Sequence, residues 1–427
     1  MKLEQVLVKS KSLEHLRERP KGVGHPPGAQ MGGFCQWLDS QGYSNFTIRD
    51  HISQISHFNR YLEQCGVNSH TDLTSDHVGE FLTVYLPKSE SCHVGSFLQK
   101  AIAGSVNRFM EYLQECGFID EFSKPATCYQ SLLDDYLNWL ETYHNSSPKT
   151  LRVRRQYLVQ FLEWLGADAT IERLSSLTAE KTQSYFLNYS KNHGQGARCS
   201  MQSTLRTFFR FCVAQEYIMS DLSQSVPTLR AYKLARLPGG IKDEEAQRLL
   251  SSIDRSTNSG SRDYAIIQML YTYGVRGGQV CALRFDNINW EQSQIRFKAL
   301  KHGKESLLPL TDNVGESLLD YLQRSRPKLS CPEIFLTVRA PYRPLRNSDA
   351  ISTIIAHRMR TADIKSPNHG ARAFRHCFAS QMLKKGHSLK FIADMIGHRD
   401  IRTTFIYTKV DFQTLSQVAL DWPEEES

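Results

Sequence analysis

Five stretches in the C-terminal half carry residues that could do chemistry on a phosphate group. In chain order they contain Arg276, Lys301, Arg375, His398 and Tyr407. A phenol with a pKa of about 10 is a weak nucleophile at neutral pH, so charge on its target must be neutralised first. Two guanidiniums can do this through forked hydrogen bonds to nonbridging oxygens, and these bonds strengthen as charge builds in the transition state. The set therefore indicates attack by Tyr407 on a phosphodiester.

Each of these residues also has an ordinary structural explanation. Arg276 is flanked by glycines in an apolar context, so it needs an anionic partner, either a buried carboxylate or a bound phosphate. Lys301 would be a solvated turn residue, His398 a helix-end cap and Tyr407 a core aromatic. Singly, each ordinary explanation is the better one. The ordered set favours chemistry.

The elements that must position these residues are helices and one β-hairpin. An acidic start after Ile241 and apolar spacing through residues 264–270 predict two helices that lead to Arg276. Residues 293–298 and 305–310, joined by a turn rich in Lys and Gly, predict a hairpin with Lys301 at its tip. The run of residues 334–336 favours a further strand.

This pattern resembles the tyrosine recombinase family, also called the phage integrase family. That family has an Arg in a Gly-x-Arg context, a hairpin Lys, His-x-x-Arg, Gly-His, and a Tyr nine residues after the last His. Here Tyr407 lies nine residues after His398, and the other elements occur in the same order. The resemblance is close over residues 241–412. Residues 130–225 look like the family's helical core-binding domain.

The resemblance implies an α+β fold, mainly helical, with a small β-sheet in the C-terminal catalytic domain and helical core-binding-like N-terminal domains that form a C-shaped DNA clamp. It implies a site-specific recombinase or integrase, or a transposase of a mobile genetic element, that acts through a 3′-phosphotyrosyl intermediate. In such an enzyme Lys301 protonates the leaving 5′ oxygen, although the neighbouring Lys304 competes for that role, and His398 donates to the phosphate. The phosphotyrosyl bond conserves the energy of the broken linkage, and the sequence has no GxxxxGK loop, so we expect no cofactor and no metal.

Two positions depart from the family pattern. Arg372 stands where the first His of His-x-x-Arg is expected, and it cannot accept a proton near neutral pH as imidazole can. Gln279 stands where many members have an acid that orients the arginine, and glutamine can still accept one hydrogen bond. His376 follows Arg375 and is expected to be a supporting or structural group. We expect activity that is slow or dependent on assembly.

The N-terminal half predicts two copies of one helical unit of about 100 residues. Trp37 and Trp139 occupy matching positions, as do Phe109 and Phe208 in the last helix of each copy. Helical spacing puts the aromatic residues of each copy on one face, where they are expected to form a core. The first copy is absent from the minimal family pattern and resembles a second core-binding module.

Basic residues in the second copy and after it predict contacts to DNA phosphates. Arg152 and Arg155 are three residues apart and share a helix face, although such a face taken alone is more simply a solvated one. The segment after the second copy spaces basic residues between Pro and Gly breakers, which is typical of a linker that lies along DNA. The predicted DNA-binding residues are Lys149, Arg152, Arg155, Arg230, Lys233 and Arg236.

These patterns predict a flexible N-terminus, two helical modules, a linker, a catalytic domain and a tail. The predicted boundaries are 1–30, 31–125, 126–225, 226–240, 241–412 and 413–427. Leu415, Val418 and Trp422 in the tail are expected to dock on a neighbouring subunit, giving a homo-oligomer, a tetramer on two sites of double-stranded DNA. A tail that folds on its own domain or is disordered is nearly as good an explanation.

Composition sets the remaining expectations. A net charge of +8, from 52 Lys and Arg against 44 Asp and Glu, favours a polyanionic partner, although a modest basic excess also simply keeps a protein in solution. The 10 cysteines include no CxxC pair, which argues against a zinc framework and suits a reducing compartment. With no signal peptide or apolar span in the sequence, we expect a cytoplasmic, nucleoid-associated protein and no membrane partner.

Two rival functions stay open at this point. A type IB topoisomerase shares the phosphotyrosine chemistry, but the duplicated helical module argues for extended site recognition. A DNA-binding protein of the same fold with impaired catalysis is suggested by Arg372 and Gln279, and it would bind its site without forming a covalent adduct.

Overall fold

The computed structural model describes residues 26–67, 72–88, 95–119, 127–229, 240–299, 305–366, 368–397 and 404. The chain is mainly helical with one small sheet, which confirms the predicted fold class. It divides into two compact units. The first comprises Met1–Arg60, Ala101–Tyr112 and Lys233–Ser427, and the second Tyr61–Lys100 and Leu113–Tyr232. Every helix within the described ranges is too short or too polar to cross a lipid bilayer.

The N-terminal half is built of helices only, over the residues described. They are α1 Pro26–Ser40, α2 Asn45–Gln64, α3 Ser75–Glu80, α4 Gly95–Glu115, α5 Gln130–His144, α6 Pro148–Leu165, α7 Ile171–Leu174, α8 Ala179–Asn192 and α9 Gln195–Ala214. A π-helical turn, Phe81–Tyr85, and a last turn, Leu86–Lys88, continue α3. Side-chain oxygens begin several of these helices: Ser147 accepts a hydrogen bond from the Thr150 amide at the start of α6.

The C-terminal half combines helices with three short strands. Its elements are α10 Asp243–Ser251, α11 Asn258–Tyr273, α12 Gly277–Cys281, β1 Ile288–Asn289, β2 Gln294–Phe297, β3 Ser306–Pro309, α13 Asp312–Asp320, α14 Ser348–Thr361, α15 Ala371–Lys384 and α16 Leu389–Met395. A π-helical turn, Tyr321–Ser325, follows α13.

The three strands form an antiparallel sheet in sequence order. Ile295 of β2 pairs with Leu308 of β3, and Arg296 pairs with Leu307. Along β2, Ile295 and Phe297 are buried and Arg296 is exposed, the alternation expected of a strand with one solvated face. This sheet contains the predicted hairpin, whose turn lies outside the described residues.

The further strand expected at residues 334–336 does not form. Glu333 and Leu336 make isolated bridges to Arg284 and Pro344, while Ile334, Phe335 and Leu336 are fully buried. Pro332 and Pro344 lie at the two ends of this pairing, and proline has no amide hydrogen to extend a ladder. The apolar run is therefore a core segment in irregular conformation, and the strand prediction was wrong.

Helix α11 lies at the centre of the C-terminal core. It packs against α10, α12, α13, α14 and α15, and Ile266, Ile267 and Leu270 have no exposed surface. Because a helix apolar on most of its circumference is stable only when surrounded, α11 provides a fixed base for the loop that follows Tyr273.

The core of the second unit is formed mainly by α5, α6, α8 and α9. Its aromatic residues include Tyr136, Trp139, Phe208 and Phe211, which we call the second quartet. Tyr136 contacts Phe208 and Phe211 at ring-centroid distances of 5.5 and 5.5 Å, and Trp139 lies 5.6 Å from Phe211.

Equivalent positions of the first copy form the same arrangement within the first unit. In this first quartet Phe34 lies 5.1 Å from Phe109 and 5.5 Å from Tyr112, and Trp37 lies 5.9 Å from Tyr112. The three ring pairs therefore match one for one between the copies, as expected of a duplicated module.

The first unit also joins the end of α1 to a loop of the C-terminal half. The Tyr342 amide donates to the Gln41 carbonyl over 3.3 Å, and the Tyr342 ring lies against Gly42. Gly42 has φ +85°, and a Cβ at this position would lie 2.4 Å from Tyr342 Cδ2. Glycine is needed here both for its backbone conformation and for the close approach of the ring.

Candidate active site

Arg276 is positioned by the abrupt end of α11. Gly274 ends this helix in the left-handed conformation, with φ +59°, and its amide donates to the Leu270 carbonyl over 2.9 Å. A Cβ on Gly274 would lie 2.6 Å from the Phe378 ring of α15, so only glycine lets the two elements approach. Arg276 then adopts an extended conformation and precedes α12. Its side chain is exposed.

Arg375 lies on α15 and is 8% exposed. Its Nη1 donates to the Gly274 carbonyl over 3.0 Å, and its Nη2 donates to the Ile396 carbonyl. The first of these bonds fixes the backbone two residues before Arg276. The buried arginine therefore helps to position the exposed one.

The two arginines meet at the C-terminal end of α16. Arg276 Nη2 donates to the Gly397 carbonyl over 2.9 Å, next to the Ile396 carbonyl that accepts from Arg375. Gly397 has φ +64°, and a Cβ added at this position would lie 3.5 Å from Arg276 Nη1. The next residue in the chain is His398. The structure thus brings together two of the predicted phosphate-binding residues immediately before a third.

The partners of Arg276 distinguish it from the structural arginines of the same half. Arg262 and Arg358 bind the buried Asp263 carboxylate at 2.6 and 2.7 Å, which is the partner that buried guanidiniums require. Arg276 forms no ion pair with any residue that the structure describes. The sequence left two anionic partners open for Arg276, a buried carboxylate and a bound phosphate. A carboxylate partner is not found among the described residues.

Gln279 supports the Arg276 position in a way that the sequence did not indicate. Its Oε1 accepts the Arg276 backbone amide at 3.1 Å, and its Nε2 donates to the Lys298 carbonyl at 3.2 Å. The residue is 6% exposed. We expected it to orient the guanidinium, whereas the contact is to the main chain. Lys298, immediately after β2, is a neighbour that only the fold reveals.

Arg372 lies in the first turn of α15, is exposed, and is one helical turn before Arg375. His376 is partly buried on the same helix. Burial lowers the pKa of His376 to about 4, with smaller contributions from the positive charges of Arg372 and Arg375. His376 is therefore neutral at physiological pH.

The other predicted catalytic residues, Lys301, His398 and Tyr407, lie outside the described residues, as does Lys304. Arg230, Lys233 and Arg236 of the predicted linker do so too. Their roles stay predictions.

The basic stretch of α6 separates into two kinds of arginine. Arg152 and Arg155 are exposed and bind no other described residue. Arg154 is half-buried and donates to Ser203 Oγ and Thr204 Oγ1 of α9 over 2.8 and 3.1 Å. Lys149 is exposed in the first turn of the helix. Lys149, Arg152 and Arg155, which are predicted to bind DNA, are thus on the solvated surface. Arg154, which is not in the predicted set, joins α6 to α9.

A basic cavity that no sequence motif indicates lies just before α15. Its volume is about 670 Å³, and its lining includes Arg360, Lys365 and His369, with Asp363. The basic residues come from the end of α14 and the loop to α15, so they share no sequence motif. Their only signal is a local excess of basic residues between positions 357 and 369.

The chain is similar to known proteins over most of its length. A model described as the phage integrase family matches residues 240–414, and one described as the phage integrase N-terminal SAM-like domain matches residues 133–216. The putative integrase/recombinase y4rA of Sinorhizobium fredii is 32% identical over 92% of this chain and 93% of its own length. The tyrosine recombinase XerD of Staphylococcus epidermidis is 27% identical over 66% of this chain and 94% of its own.

A solved structure shares the fold. The XerH site-specific recombinase bound to a palindromic difH substrate has 18% sequence identity and a TM-score of 0.54, and the match covers 81% of this chain and 95% of the XerH chain.

Proposed function

Because this chain belongs to the phage integrase family and is a tyrosine recombinase, an enzyme that breaks and rejoins DNA, we propose that Tyr407 is its nucleophile and that Arg276 and Arg375 hold the reacting phosphate. The substrate is double-stranded DNA that carries specific recombination sites. The biological reaction is integration or transposition of a mobile element.

The observation that carries this proposal is the pair of guanidiniums at the end of α16. Arg276 is exposed and has no carboxylate partner among the described residues, and Arg375 binds the adjacent carbonyl. A phosphate oxygen is a stronger acceptor for a guanidinium than a neutral carbonyl is, because it carries negative charge and because the phosphate can accept two parallel hydrogen bonds. A DNA phosphate can therefore take over donors that now bind the main chain.

The reaction proceeds in two exchanges at phosphorus. The Tyr407 oxygen loses its proton to solvent as it bonds to the phosphorus, and the bond to the 5′ oxygen breaks as Lys301 protonates that oxygen. His398 donates to a nonbridging oxygen. A 5′ hydroxyl of another strand then attacks the 3′-phosphotyrosyl bond and releases the tyrosine. One phosphoester replaces another at each step, so no nucleotide hydrolysis is required.

Arg372 supplies positive charge and donors where the family has histidine. It cannot serve as the base for Tyr407, so we infer that electrostatic stabilisation of the phenolate does most of the activation. Lys149, Arg152, Arg155, Arg230, Lys233 and Arg236 contact DNA phosphates from the core-binding module, residues 126–225, and the linker, residues 226–240.

The test uses DNA from the flanks of the gene with a nick near the cleavage point, so that the cut end diffuses away and the adduct accumulates. We expect a protease-sensitive covalent adduct with the natural protein and none with Tyr407→Phe. An adduct that persists in Tyr407→Phe would exclude Tyr407 as the nucleophile. Tyr264→Phe is the matched control, since Tyr264 is a partly buried tyrosine of the same half whose hydroxyl makes no hydrogen bond to a described residue.

We further propose a homotetramer on two DNA sites, joined by docking of Leu415, Val418 and Trp422 on the neighbouring subunit. Deletion of residues 411–427 should then abolish the paired complex of two DNA sites while binding to one site persists. Gel-shift and mass measurements separate these two species, and unchanged synapsis would refute the docking role.

A further inference from the structure

Gln279 links two parts of the chain that carry proposed catalytic residues. It lies in α12, three residues after Arg276, and its amide donates to the carbonyl of Lys298, the residue that follows β2. Three residues further along the chain is Lys301. A single side chain therefore ties the main chain at Arg276 to the strand that leads to the proposed general acid.

The orientation of the Gln279 amide follows from its two partners. The Arg276 amide can only donate, so the Gln279 oxygen must face it, and the Lys298 carbonyl can only accept, so the Gln279 nitrogen must face that. An ionised glutamate would satisfy the first partner and set its second oxygen against the Lys298 carbonyl. At 6% exposure, water cannot readily relieve that repulsion.

We propose that Gln279 is a positioning residue for DNA cleavage. By donating to the Lys298 carbonyl, it holds the β2–β3 hairpin in a fixed position relative to Arg276. The expected effect on cleavage rests on the proposed function of Lys301. The contact itself involves only Gln279, Arg276 and Lys298. Glutamine at this position is then a requirement of this chain, and an acid here would uncouple the hairpin.

The first test compares Gln279→Glu and the nearly isosteric Gln279→Met with the natural protein in single-turnover cleavage of the nicked DNA. We expect both to be slower at pH 8, by up to about 100-fold, because a misplacement of about 1 Å at a catalytic group can cost that much. As the pH falls towards 5, Gln279→Glu should regain its rate relative to the natural protein, because a protonated carboxyl can donate to the Lys298 carbonyl. Gln279→Met should not recover.

The matched control is Gln268→Glu. Gln268 is also 6% exposed and lies in α11, where its amide donates to the Thr272 hydroxyl, which can turn to donate to a carboxylate instead. We expect this variant to cleave at nearly the natural rate and to lack the pH-dependent recovery. A ratio of Gln279→Glu to natural rate that stays constant with pH would overturn the proposal.

The second test replaces the bridging 5′ oxygen of the DNA by sulfur. A thiol has a pKa of about 8.5, so the 5′ sulfur can leave as a thiolate without being protonated. A variant that lacks the general acid is therefore no longer slowed by that loss. Lys301→Ala and both Gln279 variants should approach the natural rate on this substrate. If Lys301→Ala recovers and the Gln279 variants do not, the positioning role is refuted. If Lys301→Ala does not recover, the assignment of Lys301 fails, and the pH comparison still decides whether Gln279 acts through Lys298.

Discussion

At the scale of single residues, Arg372 sets this enzyme apart from the family pattern. It is exposed one turn before Arg375, and a guanidinium has no atom that can accept a proton. The proposed activation of Tyr407 therefore does not depend on the ionisation of residue 372.

Substitution of Arg372 by histidine should introduce such a dependence. The cleavage rate of Arg372→His, divided by that of the natural protein, should rise with pH as imidazole loses its proton and becomes able to accept one. Histidine ordinarily has a pKa of about 6.5, and the nearby positive charge of Arg375 lowers it, so the rise should be centred at or below that pH.

Single-turnover cleavage between pH 5 and 8 provides the measurement. Arg372→Lys is the control, because it keeps a positive charge and adds no group that titrates in this range. A constant ratio for Arg372→His would mean that residue 372 takes no part in proton transfer.

The arginine pair could be anticipated from sequence, whereas its contacts could not. Arg276 and Arg375 belong to short patterns in which residue type and order carry the information. The carbonyls that accept from Arg375 are 101 and 21 residues away along the chain, and Gln279 reaches a carbonyl 19 residues away. Main-chain acceptors have no sequence signal, since every residue has one.

At the scale of secondary structure, α6 shows how one helix divides its arginines between solvent and a neighbouring helix. Arg152 and Arg155 are three residues apart and exposed, and Arg154 points to Ser203 and Thr204 of α9. Spacing predicted the shared face of Arg152 and Arg155. It also explains why Arg154, about 100° or more away around the helix, has a different role.

Replacement of both Arg152 and Arg155 by alanine should weaken DNA binding to a similar degree for all sequences. Each lost phosphate contact lowers the slope of log affinity against log salt by about 0.9, so the double variant should lose nearly 2 from that slope. Titrations at several salt concentrations measure it.

Arg154→Ala is the matched control. It should leave the slope unchanged and lower the free energy of unfolding by about 1–3 kcal/mol, since two hydroxyl acceptors lose their donor. An unchanged slope in the double variant would exclude Arg152 and Arg155 from the DNA contacts.

At the scale of the whole molecule, the contact between Gly42 and Tyr342 joins segments 300 residues apart in the chain. Neither segment has a sequence pattern that pairs it with the other, because Gly42 looks like any glycine at a helix end. The repeat and the catalytic half could be anticipated separately, and this contact between them could not.

Gly42→Ala should destabilise the protein by about 1–3 kcal/mol more than Gly66→Ala, through crowding against the Tyr342 ring. Both glycines follow helices and have positive φ, +85° and +70°, but an added Cβ meets nothing within 4 Å at Gly66. Urea unfolding of the two variants therefore isolates the contact from the backbone strain. Adding Tyr342→Ala to Gly42→Ala should recover part of the difference, and equal destabilisation of the two glycine variants would contradict the packing role.

The two aromatic quartets give both copies of the helical module the same three ring contacts. Because the three ring pairs match one for one, a chimera that exchanges α1 and α4 for α5 and α9 would keep these pairs, whereas the contacts of Phe208 with Phe161 and of Phe211 with Tyr217 would have to be rebuilt. The three shared pairs are thus the part of the module that both copies retain, and the divergence between the copies lies around them.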